Sequence, residues 1–235
     1  MASSYSTDLK LELMVTGEKA GEWGDITNTN LVILQQAIAG YESVAVNNTQ
    51  GLTLTFTNGA ISDGKNSTLE LTGTLATTSV DVIVPDGIEK TYNIKNSIDH
   101  AGYQVRVKTS SGSGVQIAEG NSYVLFSDGT DVEKISETKT WRAVTAAETV
   151  QEGAAILANT NGGAFTLTLP PSPSTGAEVH IIDQGYDFNT NALTVGRNGS
   201  NIANSAADLT INTQGAGLTL VYSGDATTGW TYKEK

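Results

Sequence analysis

Cysteine is absent from the 235 residues, which removes disulfide frameworks and thiolate chemistry. Only 16% of the residues are charged and 6% aromatic, against 25 glycines and an abundance of Thr, Ser and Asn. Disorder would bring far more charge, so this composition implies short strands joined by many turns. Basic residues are scarce, 13 against 25 acidic, for a formal charge of −12. Phosphate backbones and anionic membranes both need a basic patch, so no nucleic-acid partner is expected. The acidity itself suits solubility. No apolar run approaches the ~18 residues of a membrane span, and M-A-S-S-Y-S-T-D lacks the basic and apolar regions of a secretory leader. No membrane insertion is expected, and synthesis in the cytoplasm is. The three N-x-S/T triplets, at Asn47, Asn66 and Asn198, then carry no glycans.

What is present begins with one helical stretch, residues 16 to 41, T-G-E-K-A-G-E-W-G-D-I-T-N-T-N-L-V-I-L-Q-Q-A-I-A-G-Y. Leu31, Leu34, Ile38 and Tyr41 recur at helical spacing, and Ile33 and Ala37 widen the stripe. Asp25, Thr27 and Asn28 are available as N-caps, and Gly40 as a left-handed stop. Gly17, Gly21 and Gly24 surround Trp23, which sets a large aromatic on a tightly turning backbone; it is read as an interface anchor, with a core residue as the alternative. A helix of about 13 residues is only ~20 Å long and marginal alone, so it must dock on something.

Elsewhere the period is two. Residues 5 to 15 suggest a short strand or extended arm. Leu52, Leu54 and Phe56 alternate with threonines, and strands are expected at 68–72, 80–84, 91–95, 103–108, 115–118 and 122–127. Asn58-Gly59, Asp63-Gly64, Pro85-Asp86-Gly87, Ser111–Gly114 and Asp128-Gly129 separate them as turns. Residues 129 to 150 read as a charge-rich join with a helical turn at 146–149, and Trp141 begins the next module. There strands are expected at 154–158, 165–169, 177–182, 192–197, 208–212, 216–222 and 229–233. Such spacing predicts antiparallel sandwiches. The chain is therefore read as mainly β: an N-terminal attachment segment with one helix (1–42) and two antiparallel β-sandwich-like modules (43–138 and 139–235). The modules share a grammar. V-D-V-I-V-P, Y-Q-V-R-V, S-G-V-Q-I and S-Y-V-L-F-S-D-G in one answer F-T-L-T-L-P, A-L-T-V-G-R, N-G-S-N-I and L-T-L-V-Y-S-G-D in the other, as a duplication or as convergent turn chemistry.

Chemistry-bearing motifs are sparse. His180 alternates with Val179 and Ile181 on a strand, and His100 follows a turn without a nucleophile in sequence. No G-x-S-x-G elbow occurs. Asp187, Asn189 and Asn191 imitate the start of a calcium loop, but Ala192 and Asn198 replace its glycine and bidentate glutamate. Glu18/Glu22 and Asp183/Asp187 are the carboxylate pairs that could flank a glycosidic bond, with Tyr186 and Phe188 the nearest aromatics. No catalytic residue, cofactor or metal site is expected, and the chain is read as non-enzymatic.

Y-S-T-D-L-K-L-E-L, T-G-E-K-A-G-E-W-G-D and T-N-T-N-L-V-I-L-Q-Q-A-I-A-G-Y, over roughly residues 5 to 41, resemble the N-terminus of fibre-like virion proteins of tailed bacteriophages, especially phages of marine bacteria. A-N-T-N-G-G-A-F-T-L-T-L-P-P-S-P-S-T-G to G-W-T-Y resembles β-modules of phage fibre proteins. The resemblance implies a virion structural protein, a tail fibre or tail-associated subunit attached by its N-terminus to other virion proteins and contributing to host adsorption. Exposed strands rich in Thr and Asn offer hydrogen bonds to a host surface glycan as a further partner, and the same composition equally suits an inert β-surface, which is the favoured reading. A head or neck decoration protein is the alternative, and a glycan-degrading enzyme a remote one. Trp23, Leu31, Leu34, Ile38 and Tyr41 are the expected attachment or interface residues, and a homo-oligomer, a trimer before a dimer, is the expected assembly.

Overall fold

Alternation of apolar residues with Thr, Asn and charged residues builds short strands along most of the chain, and the run at 23–39 builds the one α-helix among the described residues. The computed structural model describes residues 3–234. A short antiparallel pair, β1 (Ser4–Tyr5) and β2 (Glu12–Leu13), precedes α1 (Trp23–Ala39). Then follow β3 (Tyr41–Ala45), β4 (Leu52–Thr53), β5 (Thr68–Thr74), β6 (Val80–Ile83), β7 (Glu89–Asp99), β8 (Val105–Lys108), β9 (Val115–Ile117), β10 (Ser122–Asp128) and β11 (Val132–Thr138). The remaining strands are β12 (Trp141–Val144), β13 (Glu148–Thr149), β14 (Ala155–Ala158), β15 (Thr166–Thr168), β16 (Glu178–Asp183), β17 (Leu193–Gly196), β18 (Leu209–Ile211), β19 (Gly217–Tyr222) and β20 (Trp230–Glu234).

Two compact units result. One comprises Met1–Ala101, Val105–Gln116 and Asn121–Thr138, so α1 clusters with the strands that follow it; the other comprises Gly102–Gln104, Ile117–Gly120 and Lys139–Lys235. The first unit has a five-stranded sheet, β11-β10-β7-β5-β3, and a four-stranded sheet, β4-β6-β8-β9. The chain visits them alternately, so β3, β5 and β7 lie parallel in one sheet while β4, β6 and β8 lie parallel in the other. In the five-stranded sheet β10 pairs antiparallel with β7, and β11 antiparallel with β10.

The second unit repeats this connectivity. β12, β14 and β16 are parallel and continue antiparallel into β19 and β20, while β13, β15 and β17 are parallel and end on antiparallel β18. V-D-V-I-V-P and F-T-L-T-L-P fall on corresponding strands, β6 and β15, and the other motif pairs on β8/β17 and β10/β19. N-G-S-N-I is the exception. It forms a turn and an isolated bridge at Ile202, and the counterpart of β9 is β18.

The chain is thus mainly β with stacked sheets in a solenoid-like arrangement, and the antiparallel pairing expected for both modules is corrected to coils of parallel strands. The physical reason is that turn residues report where a chain bends. They do not report whether it folds back on its own strand or rounds a corner into the facing sheet. The join read into residues 129–150 is also corrected. β11 buries only Val132 strongly, and β13 occupies part of the expected helical turn.

Period-two burial supplies the cores. Leu69 and Leu71 of β5, Ile94 and Ile98 of β7, Val82 of β6 and Val107 of β8 are buried in the first unit. In the second, Ile156, Ile181, Leu220 and Trp230 from one sheet and Leu167, Val195 and Ile211 from the other form a single cluster. Each such side chain contributes about 1.5–3 kcal/mol, which suffices because every coil adds several.

Candidate functional site

The helix is fixed to its unit by one face. Ile33 is fully buried, Gln36 Nε2 donates to Ser62 O at 3.1 Å, and Gln36 O accepts from Ser67 N at 3.1 Å. On the same side Asn30 clamps β2, taking Glu12 N at 3.0 Å and donating to Glu12 O at 2.9 Å. The helix begins earlier than its expected caps. Glu22 stands at the N-cap without a side-chain cap bond, while Gly17 and Gly21 bring the chain in with φ of 83° and 90°. Gly40 is not a left-handed stop, since its φ is −70° and ψ 138°. It is glycine because a Cβ would lie 2.3 Å from Gln36 O and 2.4 Å from Asn66 Oδ1; close approach, not handedness, fixes the residue.

The stripe expected to dock points outward. Trp23 is 64% exposed, Leu31 57% and Ile38 77%, with Leu34 half-buried. These four fall within about 80° on a helical wheel, roughly 120° from Ile33. The helix carries one charge, Asp25. An exposed helix face normally carries many charges, and an apolar one marks a contact surface. Tyr41 is separate from this face. It opens β3, and its hydroxyl donates to Glu70, which also takes Lys95 Nζ at 2.8 Å and Ser97 Oγ at 2.7 Å. Lys95, then Tyr41 and Ser97, hold the Glu70 carboxyl down to about 2.

A second constellation lies on the five-stranded sheet of the second unit. Strand register sets Trp141, Ala155, His180 and Thr219 in one row on one face. Trp141 meets the His180 ring edge-on at 6.2 Å, and His180 Nδ1 lies 3.0 Å from Thr219 Oγ1. His180 Nε2 faces Lys139 Nζ and Glu178 Oε2, the latter at 3.1 Å. Glu178 also takes Lys139 at 2.9 Å and Lys233 at 2.6 Å. Burial opposes ionisation of Glu178, but Lys233 and Lys139 together hold its carboxyl down to about 2. Burial, then Lys139, pushes His180 below its ordinary value, so the ring is neutral near pH 7. The sequence singled out Trp141 and His180 separately; the period-two register on adjacent strands is the signal that joins them to Lys139, Glu178 and Thr219.

The other candidates have structural partners. Asp183 is buried, and its carboxylate accepts from the N–H groups of Asp187 and Phe188, both at 3.3 Å, and Gly215 at 2.9 Å. Asp187 takes Asn191 Nδ2 at 2.7 Å, which makes the calcium-like segment a polar turn. Phe188 is in the core and Tyr186 is exposed. Glu22 meets Lys19 at 3.5 Å and Glu18 accepts from Ser3. His100 is buried against Asn96 Nδ2 at 2.9 Å. Among the described residues no group of three or more His, Asp or Glu could hold a metal ion, and no helix is long and apolar enough to cross a membrane.

No family model and no curated protein matches the chain. A solved structure described as "Structure of a chaperone-substrate complex" is similar to it at a TM-score of 0.37 and 14% identity, over 82% of this chain and 36% of that one. The chain therefore spans little more than a third of that neighbour's length.

Proposed function

We propose that this chain is a non-enzymatic structural protein of a tailed-phage particle, a tail fibre or tail-associated subunit held by its N-terminal segment and contributing to host adsorption. The observation that carries it is the outward face of α1. An exposed Trp23, Leu31 and Ile38 on a helix with one charge is a surface built to be covered. The same residues lie in the segment that resembles the attachment region of fibre-like virion proteins. α1 also suits assembly, since several copies can bury Leu31, Leu34 and Ile38 together, three copies being the preferred number. The test is incorporation of a Leu31→Asp/Ile38→Asp double variant into particles. Both positions are exposed, so the variant folds, with an unchanged melting profile, and it is lost from particles. Incorporation at normal copy number overturns the attachment role.

A further inference from the structure

Three Asn-Gly dipeptides occur in the chain, Asn58-Gly59, Asn161-Gly162 and Asn198-Gly199. In such a pair the glycine nitrogen can attack the asparagine Cγ and displace the side-chain amide. Glycine favours this because it has no Cβ to block the approach or to restrict the backbone that must swing into it. Two groups must be free for the attack, the glycine N–H and the asparagine carboxamide. The fold treats the three pairs differently. At the first the nucleophile is engaged, since Gly59 N donates to Lys10 O at 2.8 Å. At the third the carboxamide is engaged, since Asn198 Nδ2 donates to Leu169 O at 2.8 Å. The second has neither restraint. Asn161 and Gly162 are both exposed, and among the described residues neither the Gly162 N–H nor the Asn161 carboxamide has a hydrogen-bond partner. Nothing lies within 4 Å of where a Cβ would stand on Gly162 or Gly163, so the backbone has room to move. The bonds that do hold this corner spare the reacting atoms: Asn161 N donates to Asn159 Oδ1 at 3.0 Å, and Gly163 N to Thr160 O at 2.9 Å.

We propose that Asn161-Gly162 is a self-modifying site, which deamidates spontaneously to isoaspartate and aspartate while Asn58 and Asn198 persist. The bond from Gly162 N to Asn161 Cγ forms as the Cγ–Nδ2 bond breaks, and the Gly162 N–H proton leaves with the ammonia. Water then opens the succinimide at either carbonyl. It is the only co-reactant, and no atom changes oxidation state. The product alters the corner between β14 and β15 in two ways. A carboxylate replaces a neutral amide, which takes the formal charge from −12 to −13. The charge lands beside Gly185, where a Cβ would lie 2.3 Å from Asn161 Oδ1 and 3.0 Å from Asn159 Oδ1. Isoaspartate also lengthens the main chain by one methylene, which opens the turn closed by Gly163 N and Thr160 O. Thr160 is fully buried, so the change reaches the edge of the core. None of this depends on the attachment role of α1.

The test incubates the full folded chain for weeks at mildly alkaline pH and physiological temperature, with samples taken for peptide mapping. A glutamate-specific protease releases residues 153–178 as one peptide, because no acidic residue lies between Glu152 and Glu178. Mass spectrometry with electron-transfer fragmentation then locates the product and separates isoaspartate from aspartate. The expected result is modification at Asn161 faster than at Asn58 or Asn198 by about tenfold or more, the protection that one hydrogen bond supplies. In denaturant the three sites should react at similar rates, which shows that the fold makes the selection. Gly162→Ala should suppress the reaction at Asn161 without unfolding the chain, since that position has open space for a methyl group. An unmodified Asn161 after the incubation overturns the proposal. So do equal rates at the three sites of the folded chain, faster reaction at Asn58 or Asn198, or a rate at Asn161 that Gly162→Ala leaves unchanged.

Discussion

Two apolar residues ten positions apart on α1 have opposite surroundings, and their substitution should separate folding from binding. Ile33 is fully buried, so Ile33→Ala should cost about 2–4 kcal/mol of folding stability in a denaturant titration. Trp23 is mostly exposed, and Trp23→Ala should change stability by less than about 1 kcal/mol while weakening assembly or incorporation. Equal losses of stability would return Trp23 to the core. Lys65 offers a different test. Its ammonium is buried and donates to Thr57 O and Ala60 O, both at 2.6 Å, with no carboxylate within ion-pair distance among the described residues. Burial, and secondarily Lys10, lowers it from 10.5 to about 8. The folded state therefore releases this proton before the unfolded state does, and stability should rise as pH climbs from about 8 to 10.5. Unfolding measured across that range should show the rise in the wild type and a flatter profile in Lys65→Met; identical profiles would mean that the ammonium is solvated.

At the scale of elements, α1 shows what a helical repeat can and cannot convey. The recurrence of Leu31, Leu34 and Ile38 located the helix but not the side that docks, because Ile26, Ile33 and Ala37 offer a second apolar side. The fixed side is chosen by polar geometry that no period contains, namely Asn30 on Glu12 and Gln36 on Ser62 and Ser67. The half-buried Leu34 lies within the outward arc, between Trp23 and Ile38. Leu34→Asp should dissociate oligomers built on this helix, since an unpaired carboxylate in an apolar seam is costly. Light scattering at micromolar concentration checks this, with circular dichroism on the same samples. Loss of folding before dissociation would place Leu34 in the core of its own unit.

For the whole molecule, strand positions were legible and strand partners were not. Alternation at Val80–Ile83, Val105–Lys108 and Glu178–Asp183 was readable because one face of each strand is buried. β11 escaped because all but one of its residues are partly or fully exposed, and β3 because Tyr41 also completes a helical spacing. The parallel coils were hidden because their pairing skips over the strand that follows in sequence, joining Tyr41 with Thr68 and Trp141 with Ala155. The row that joins Trp141 to His180 and Thr219 was hidden for the same reason. The repeated motifs hinted at the shared connectivity of the two units, most clearly at β6 and β15. The central claim, that the outer face of α1 holds the chain to a particle, is tested most directly by an electron-microscopy map of an intact virion. The map should show Trp23, Leu31 and Ile38 buried against other chains, and a particle in which that face stands open to solvent would contradict the account.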